Sequence, residues 1–512
     1  MSLLFQGVHV FSLDAPGGAT GPDDVLVVGD RIAAIGPEAA RSAPPGATVV
    51  RGGNRLLMPG LVNAHFHSPV NHMKGALPSL PLELFMLYES PALADLAPSP
   101  REAYLRTVLA AIEMLRTGTT AVQDDAFFVP HPTPDIVDAV MQAYADVGIR
   151  ATVALDQPEL PELDKLPFLA DLLPADMKAE LAQPPAFGRD DLLGAYDHLI
   201  RRWHGQAGGR LRAAVSISAP QRVTPDYFAA LDGLSRAHDL PFYAHMLETK
   251  LQRVLKDEQP RFGGRSLVRY TADLGLLSER MNVIHAIWVD DADLDLIAEA
   301  GATIAHNPVS NLRLGSGVMP FRRIRDRGIP VCLGTDEAIA DDSVNMWGVA
   351  KMAGLIHNIS GPDPDLWPGA TEVLGCLTQG GARAMRLGAD GGTITVGQLA
   401  DLALIDLDAL PFTPLNDLHR QLVYCENGGS VRMTVVAGLM VYDGDRVTTV
   451  DEADLLAEAR ELFRARQPAL EAARRAADRW LPAYRAMVGR AAARDVGFNR
   501  WVGDAAAKEE RP

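Results

Sequence analysis

The chain has 512 residues, 48 Lys+Arg against 65 Asp+Glu, and a net charge of −17. That length suits one large barrel with an appended unit, or two to three ordinary domains. The acidic balance argues against a nucleic-acid or anionic-membrane partner, both of which need clustered Lys/Arg. With 47% hydrophobic and 22% charged residues the composition is that of a globular protein. Three scattered cysteines give no disulfide or zinc-finger spacing, so a reducing, cytoplasmic setting is expected. The N-terminus lacks a basic, apolar leader pattern, and no run of about 18 apolar residues predicts a membrane span.

In chain order, GVHVFSL, DVLVVGD and RIAAIG read as short strands broken by Gly/Asp turns, so residues 1–60 form a β-unit. From 61 to 391 apolar strands alternate with helical stretches, as in TTAVQD, PDIVDAVMQAYADVG and RATVALD. This pattern predicts an α/β fold with a parallel sheet, of a length that suits a (β/α)₈ TIM barrel. Residues 157–190 interrupt it with prolines and acids, as a surface loop or a lid over the barrel mouth. Residues 392–445 return to short strands that resemble the opening segment, so one β-unit from both chain termini is expected. Residues 446–512 read as a helical extension with charged faces.

The sharpest local feature is Pro59-Gly60-Leu61-Val62-Asn63-Ala64-His65-Phe66-His67. Residues i and i+2 of a strand point the same way, so His65 and His67 can share one metal. PFYAHMLET sets His245 at a later strand end with Glu248 three residues on. NVIHAIW sets His285 at the next, and PVCLGTDEA sets Asp336 at another. Barrel enzymes gather their catalytic residues from several strand ends on one face. Three imidazoles and a carboxylate suit Zn²⁺ or Fe²⁺ and leave room for water. Glu248 is then placed to shuttle a proton, and His285 to polarise or hold the nucleophile.

These motifs, with AHNPVSNLRLGSGVMP and LGTDEAIADDSVNMW, resemble the amidohydrolase superfamily in its aminoheterocycle deaminase and triazine hydrolase branch. The resemblance runs over about residues 5–445. It implies a distorted barrel plus a β-sandwich built from both termini. It implies one divalent metal, zinc or sometimes iron, on His65, His67, His245 and Asp336. Glu248 is implied as acid/base and His285 as the group orienting the nucleophile, so Glu248, His285 and Asp336 are the catalytic candidates. The fourth strand, RLRAAVSISAPQ, lacks the bridging Lys of two-metal relatives, which favours one metal. A small heterocyclic substrate and a homodimer or homotetramer are also implied.

The expected reaction is hydrolytic deamination of an amino-substituted N-heterocycle. Dechlorination or N-dealkylation of a triazine-type ring is the alternative, and cyclic amide hydrolysis a third. Glu89, His306 and Glu337 are the candidate substrate contacts. His72 is a possible pocket residue, His131 a loop residue, His204 a structural one, and Asn307 and Asn311 loop-fixing residues. Two departures from the family pattern stand out. Ser218 replaces the His of a Pro-His-Ala-Pro motif, which argues against adenosylhomocysteine as substrate. Glu337, Asp341 and Asp342 add carboxylates, which would favour a cationic or donor-rich ring.

Overall fold

The computed structural model describes residues 2–91 and 96–502. The predicted helical extension therefore falls within it except for residues 503–512, which lie outside the described residues. Both chain ends supply strands to one eight-stranded sheet, in the order Leu439–Tyr442, Val431–Val436, Leu402–Asp406, Arg55–Pro59, Ser2–Phe11, Ala19–Val28, Arg31–Ile35. Thr48–Arg51 also pairs with Ser2–Phe11. The two termini meet where Leu402–Asp406 runs antiparallel to Arg55–Pro59. Alternate residues of these strands, among them Phe5, Val25, Ile32, Leu57 and Leu402, form one buried apolar cluster.

The middle of the chain forms two five-stranded parallel sheets. One runs Asp336–Glu337, Leu61–His67, Thr119–Ala126, Arg150–Leu155, Leu211–Ala213. The other runs Val215–Ser216, Phe242–Met246, Met281–His285, Thr303–His306, Val331–Leu333. They adjoin at both edges. Ala214 bridges them on one side, donating to Val153 O at 2.7 Å while Val215 donates to Pro241 O at 3.0 Å. On the other, Gly334 donates to His306 O at 3.1 Å just before Asp336 pairs with Phe66. Every residue of Leu61–His67, Thr119–Ala126 and Arg150–Leu155 is buried, as expected where both faces of a parallel sheet are covered.

The covering helices follow from their sequences. Pro134–Val147 begins with Pro in its first turn and buries Ile136, Val137, Val140, Met141 and Tyr144 along one face. It ends at Gly148, where φ is 88° and a Cβ would lie 3.0 Å from Val441. The 157–190 interruption contains three short helices, Glu162–Lys165, Leu169–Leu172 and Ala175–Leu181. They are packed rather than free. Leu169, Leu173 and Leu181 share an apolar cluster with Leu84, Trp480 and Tyr484. The last two belong to the C-terminal extension, which forms helices Glu452–Ala477 and Leu481–Ala493. No described helix is long and apolar enough to cross a membrane.

Candidate active site

The strand ends deliver their side chains to one place. His65 and His67 lie two apart on Leu61–His67, His245 lies on Phe242–Met246, His285 ends its strand, and Asp336 follows Val331–Leu333. The rings of His65 and His67 are 4.7 Å apart, those of His65 and His245 5.0 Å, and those of His245 and His285 5.5 Å. Asp336 Oδ1 lies 3.4 Å from Nε2 of both His65 and His67. Nε2 of His285 lies 3.5 Å from Glu248 and 3.8 Å from Asp336. Donor atoms of His65, His67 and His245, and of His65, His285 and Asp336, fall within 4.8 Å of one another. The backbone is strained where the strands end: φ is positive at Ser218, Leu247, His285, Ala286 and Asp336. Such strain persists where surrounding structure over-determines it.

Each imidazole is held from behind. His67 Nδ1–H donates to Asp125 O at 2.5 Å and His245 Nδ1–H to Ser218 O at 2.7 Å, so both Nε2 lone pairs face inward. His65 Nε2 is enclosed without a hydrogen bond. Ser310 Oγ donates to Asp336 Oδ2 at 2.7 Å. Asn63 locks the approach to Asp336 by bonding Thr335 Oγ1 at 2.8 Å and accepting from its N–H at 3.1 Å. Gly334 is required here, since a Cβ would sit 2.7 Å from His65 O. Asn307 and Asn311 do more than fix a loop: both amides face His285 Nδ1, at 3.4 and 2.9 Å.

Burial dominates the electrostatics. It pushes the imidazoles of His65 and His285 below the ordinary range and that of His245 down to about 3, so they stay neutral and able to ligate. It opposes ionisation of Asp336 too, but His65, His285 and His67 outweigh it and hold that carboxyl well below its usual value. Glu248 is pushed well up by burial, then by Asp336 and Glu83. The donor set is three imidazole nitrogens and an ionised carboxylate oxygen, with one enclosed nitrogen lacking a partner. That set fits a divalent transition metal.

The other predicted residues are distributed as follows. Glu89, in the helix Leu82–Glu89, lies in the field of Glu337 with neither of its carboxyl oxygens hydrogen-bonded, and burial raises both carboxyls, Glu89 to about 7. His306 is buried, but its Nε2 faces His357 Nε2 at 3.2 Å, with no bond to the cluster. His72 is half-buried, with both ring nitrogens enclosed and unpartnered, His131 stacks on Phe187, and His204 accepts from Ala213 N–H at 3.2 Å. Asp342 is not a free carboxylate, because Arg313 pairs with it at 2.8 Å. Ser218, in place of the expected His, accepts from the Arg222 guanidinium at 2.9 Å. Sequence reasoning missed Asp125 and Asp156, buried beside His245. Their signal was available, since Asp125 is the penultimate residue of Thr119–Ala126 and Asp156 directly follows Arg150–Leu155.

Parallel strands that bring imidazoles, a carboxylate and a buried acid to one strand-end cluster define a metal-centred hydrolytic class of site. The chain belongs to the amidohydrolase family, which matches residues 56–441. A 5-methylthioadenosine/S-adenosylhomocysteine deaminase of Nitratidesulfovibrio vulgaris is 32% identical over 467 residues, covering 90% of this chain and 97% of that one. A 5′-deoxyadenosine deaminase of Methanosarcina mazei is 28% identical over 460 residues, with the same coverages. Among solved structures, an adenosine deaminase from Xanthomonas campestris with bound zinc is 27% identical with a TM-score of 0.78, covering 91% of this chain and 98% of that one. A zinc-bound atrazine chlorohydrolase from Arthrobacter aurescens shares the fold at 24% identity and a TM-score of 0.78, covering 90% of this chain and 99% of that one.

Proposed function

We propose that this chain hydrolytically deaminates an amino-substituted N-heterocycle at a single divalent metal, zinc before iron, held by His65, His67, His245 and Asp336. The observation that carries the reading is the buried convergence of those four residues with Glu248 and His285. Relatives named as deaminases of adenosine derivatives support ammonia as the leaving group. The likeness to the chlorohydrolase bears on fold alone.

A divalent ion at this site supplies a Lewis acid that lets water ionise near neutral pH. Glu248 takes the proton of the attacking water and passes it to the ring nitrogen next to the carbon under attack. His285 accepts at Nδ1 from the Asn311 amide, so its Nε2 carries the hydrogen and donates toward the incoming oxygen. The second proton comes off the hydroxyl that has added to the ring carbon; Glu248, unprotonated again, carries it to the exocyclic nitrogen, so that carbon–nitrogen bond breaks and ammonia leaves. Asp336, oriented by Ser310, stays ionised beside these transfers. Glu89 and Glu337 contact the ring's polar edge.

The same reading extends to the architecture. The two parallel sheets close as one distorted (β/α)₈ barrel over 61–391, and 1–60 and 392–445 form a β-sandwich. Residues 446–512 form a helical extension to these units, and the protein acts as a cytoplasmic homodimer or homotetramer. The test is ammonia release by metal-replete protein from aminopurines, 5′-deoxyadenosine, aminopterins, aminopyrimidines and aminotriazines, with Glu248→Gln as blank. Release from one ring class supports the reading. Silence across the panel, with chloride or alkylamine released from substituted triazines, would replace it.

A further inference from the structure

Beside the site lies a cavity of about 600 Å³ that the reaction chemistry does not use. Its inner wall is shared with the site. Gln252 accepts the Glu248 N–H at 2.9 Å, Glu83 accepts from Thr249 at 2.7 Å, and Arg222 donates to Ser218, whose carbonyl holds His245. Its outer wall is apolar, with Met86, Phe128, Leu166, Phe187, Trp480 and Tyr484 among the lining residues. A pocket of this size and lining takes a drug-sized apolar group.

The wall has two sources. One is the 157–190 interruption. The other is the pair of C-terminal helices, which contribute Ala473, Ala477, Trp480 and Tyr484. That second source lies entirely beyond residue 441, where the family match ends. The apolar cluster uniting Leu169 and Leu181 with Trp480 and Met487 holds the two sources together as one roof.

The charges at the cavity disfavour an ionic occupant. Lys165 is paired with Glu162, and Arg479 with Glu180. Among the described residues Arg222 has no carboxylate at ion-pair distance. Its guanidinium is nevertheless bound to Ser218 Oγ, reaches Met86 Sδ at 3.1 Å, and sits in the field of Glu83, Glu89 and Glu248. An anionic tail entering here would leave water for the apolar roof, with the Arg222 guanidinium already bound to Ser218.

We infer that the substrate's ring carries a bulky, uncharged apolar substituent, and that the 157–190 segment and the C-terminal helices seat it in this cavity. This rests on the deaminase reading for the ring, but the cavity can be tested apart from turnover. Matched probes serve: 5′-deoxyadenosine against 5′-deoxy-5′-(benzylthio)adenosine, and melamine against N-benzylmelamine. The inference expects the benzyl member of at least one pair to have the higher kcat/KM, by about tenfold or more. Ala473→Trp, which fills the cavity from the extension, should abolish that preference and leave the unsubstituted partner unchanged. Equal kcat/KM within both pairs in the wild type, or a preference untouched by Ala473→Trp, would overturn it.

Calorimetry with 5′-deoxyinosine and 5′-deoxy-5′-(benzylthio)inosine, which have no amine to lose, separates the two readings. Benzyl-dependent binding that Ala473→Trp weakens, without ammonia from any probe, keeps the cavity's role and removes the deaminase. Ammonia released equally from tailed and untailed rings, with no benzyl-dependent binding, does the reverse. If Ala473→Trp does not fold, the wild-type tailed-to-untailed ratio decides alone.

Discussion

The side-chain amide of Asn311 donates to Nδ1 of His285 across 2.9 Å, and this bond fixes which face of the ring can donate. With Nδ1 accepting, the hydrogen must sit on Nε2, which points at Glu248 and Asp336. Asn311→Asp replaces a donor by an acceptor at that distance and favours the opposite tautomer. We expect kcat to fall by about 10–100-fold with bound metal unchanged, since Asn311 touches no ligating atom. Steady-state kinetics beside metal analysis checks it. Unchanged kcat would mean that His285 takes its orientation from the strained backbone alone.

Glu248 makes a second separation possible. One of its carboxyl oxygens is enclosed without a partner, and its main-chain N–H is tied to Gln252, so its position survives loss of charge. Glu248→Gln should therefore keep the metal and lose about 10²–10⁴-fold in turnover. Loss of metal along with turnover would place Glu248 among the ligands instead.

Much of this was legible because ligating residues follow the strand rhythm. His65 and His67 stand at i and i+2, and His245, His285 and Asp336 each close an apolar run. A purely local pattern therefore reports a shared site. The residues that were not legible act through tertiary geometry. Asn311 sits on a helix after the strand bearing His306, and nothing local says that its amide reaches back to His285. Asp342 reads as a free charge until Arg313 is folded against it. The packing of the 157–190 segment on Trp480 and Tyr484 joins pieces of chain with no sequence signal in common.

Asp341 should impose a pH dependence on stability. Burial, with Glu113 and Asp342 adding to it, raises its carboxyl to about 7 despite the hydroxyl of Ser343. The folded protein then keeps a proton that the unfolded chain releases above about pH 4. Stability from this group is complete below that value and is lost as pH rises toward 7. Asp341→Asn removes the proton from the balance. The drop in Tm between about pH 5 and about pH 8 should be smaller in the variant than in the wild type. Parallel Tm curves for the two proteins would show that Asp341 stays ionised when folded.

The end of the described chain straps the loop that follows His285. Arg500 donates to Ile287 O at 2.9 Å and to Val289 O at 2.7 Å, and its own carbonyl accepts from Val318 N–H at 2.8 Å. Trp501 donates to Gly315 O at 2.9 Å and packs edge-on against Trp288. Gly317 makes room for this crossing, because a Cβ there would lie 2.9 Å from Arg500 O. Arg500→Ala removes two charge-assisted bonds to carbonyls that, among the described residues, no other side chain satisfies, a cost of about 2–3 kcal/mol. We expect Tm to fall by a few degrees. Because Ile287 stands two residues from His285, kcat should also fall, by about tenfold, with KM little changed. Arg500→Lys should restore neither fully, since an ammonium lacks the planar fork that spans both carbonyls. A lower Tm with unaltered kcat would assign the strap to stability alone and leave the placement of His285 to its own strand.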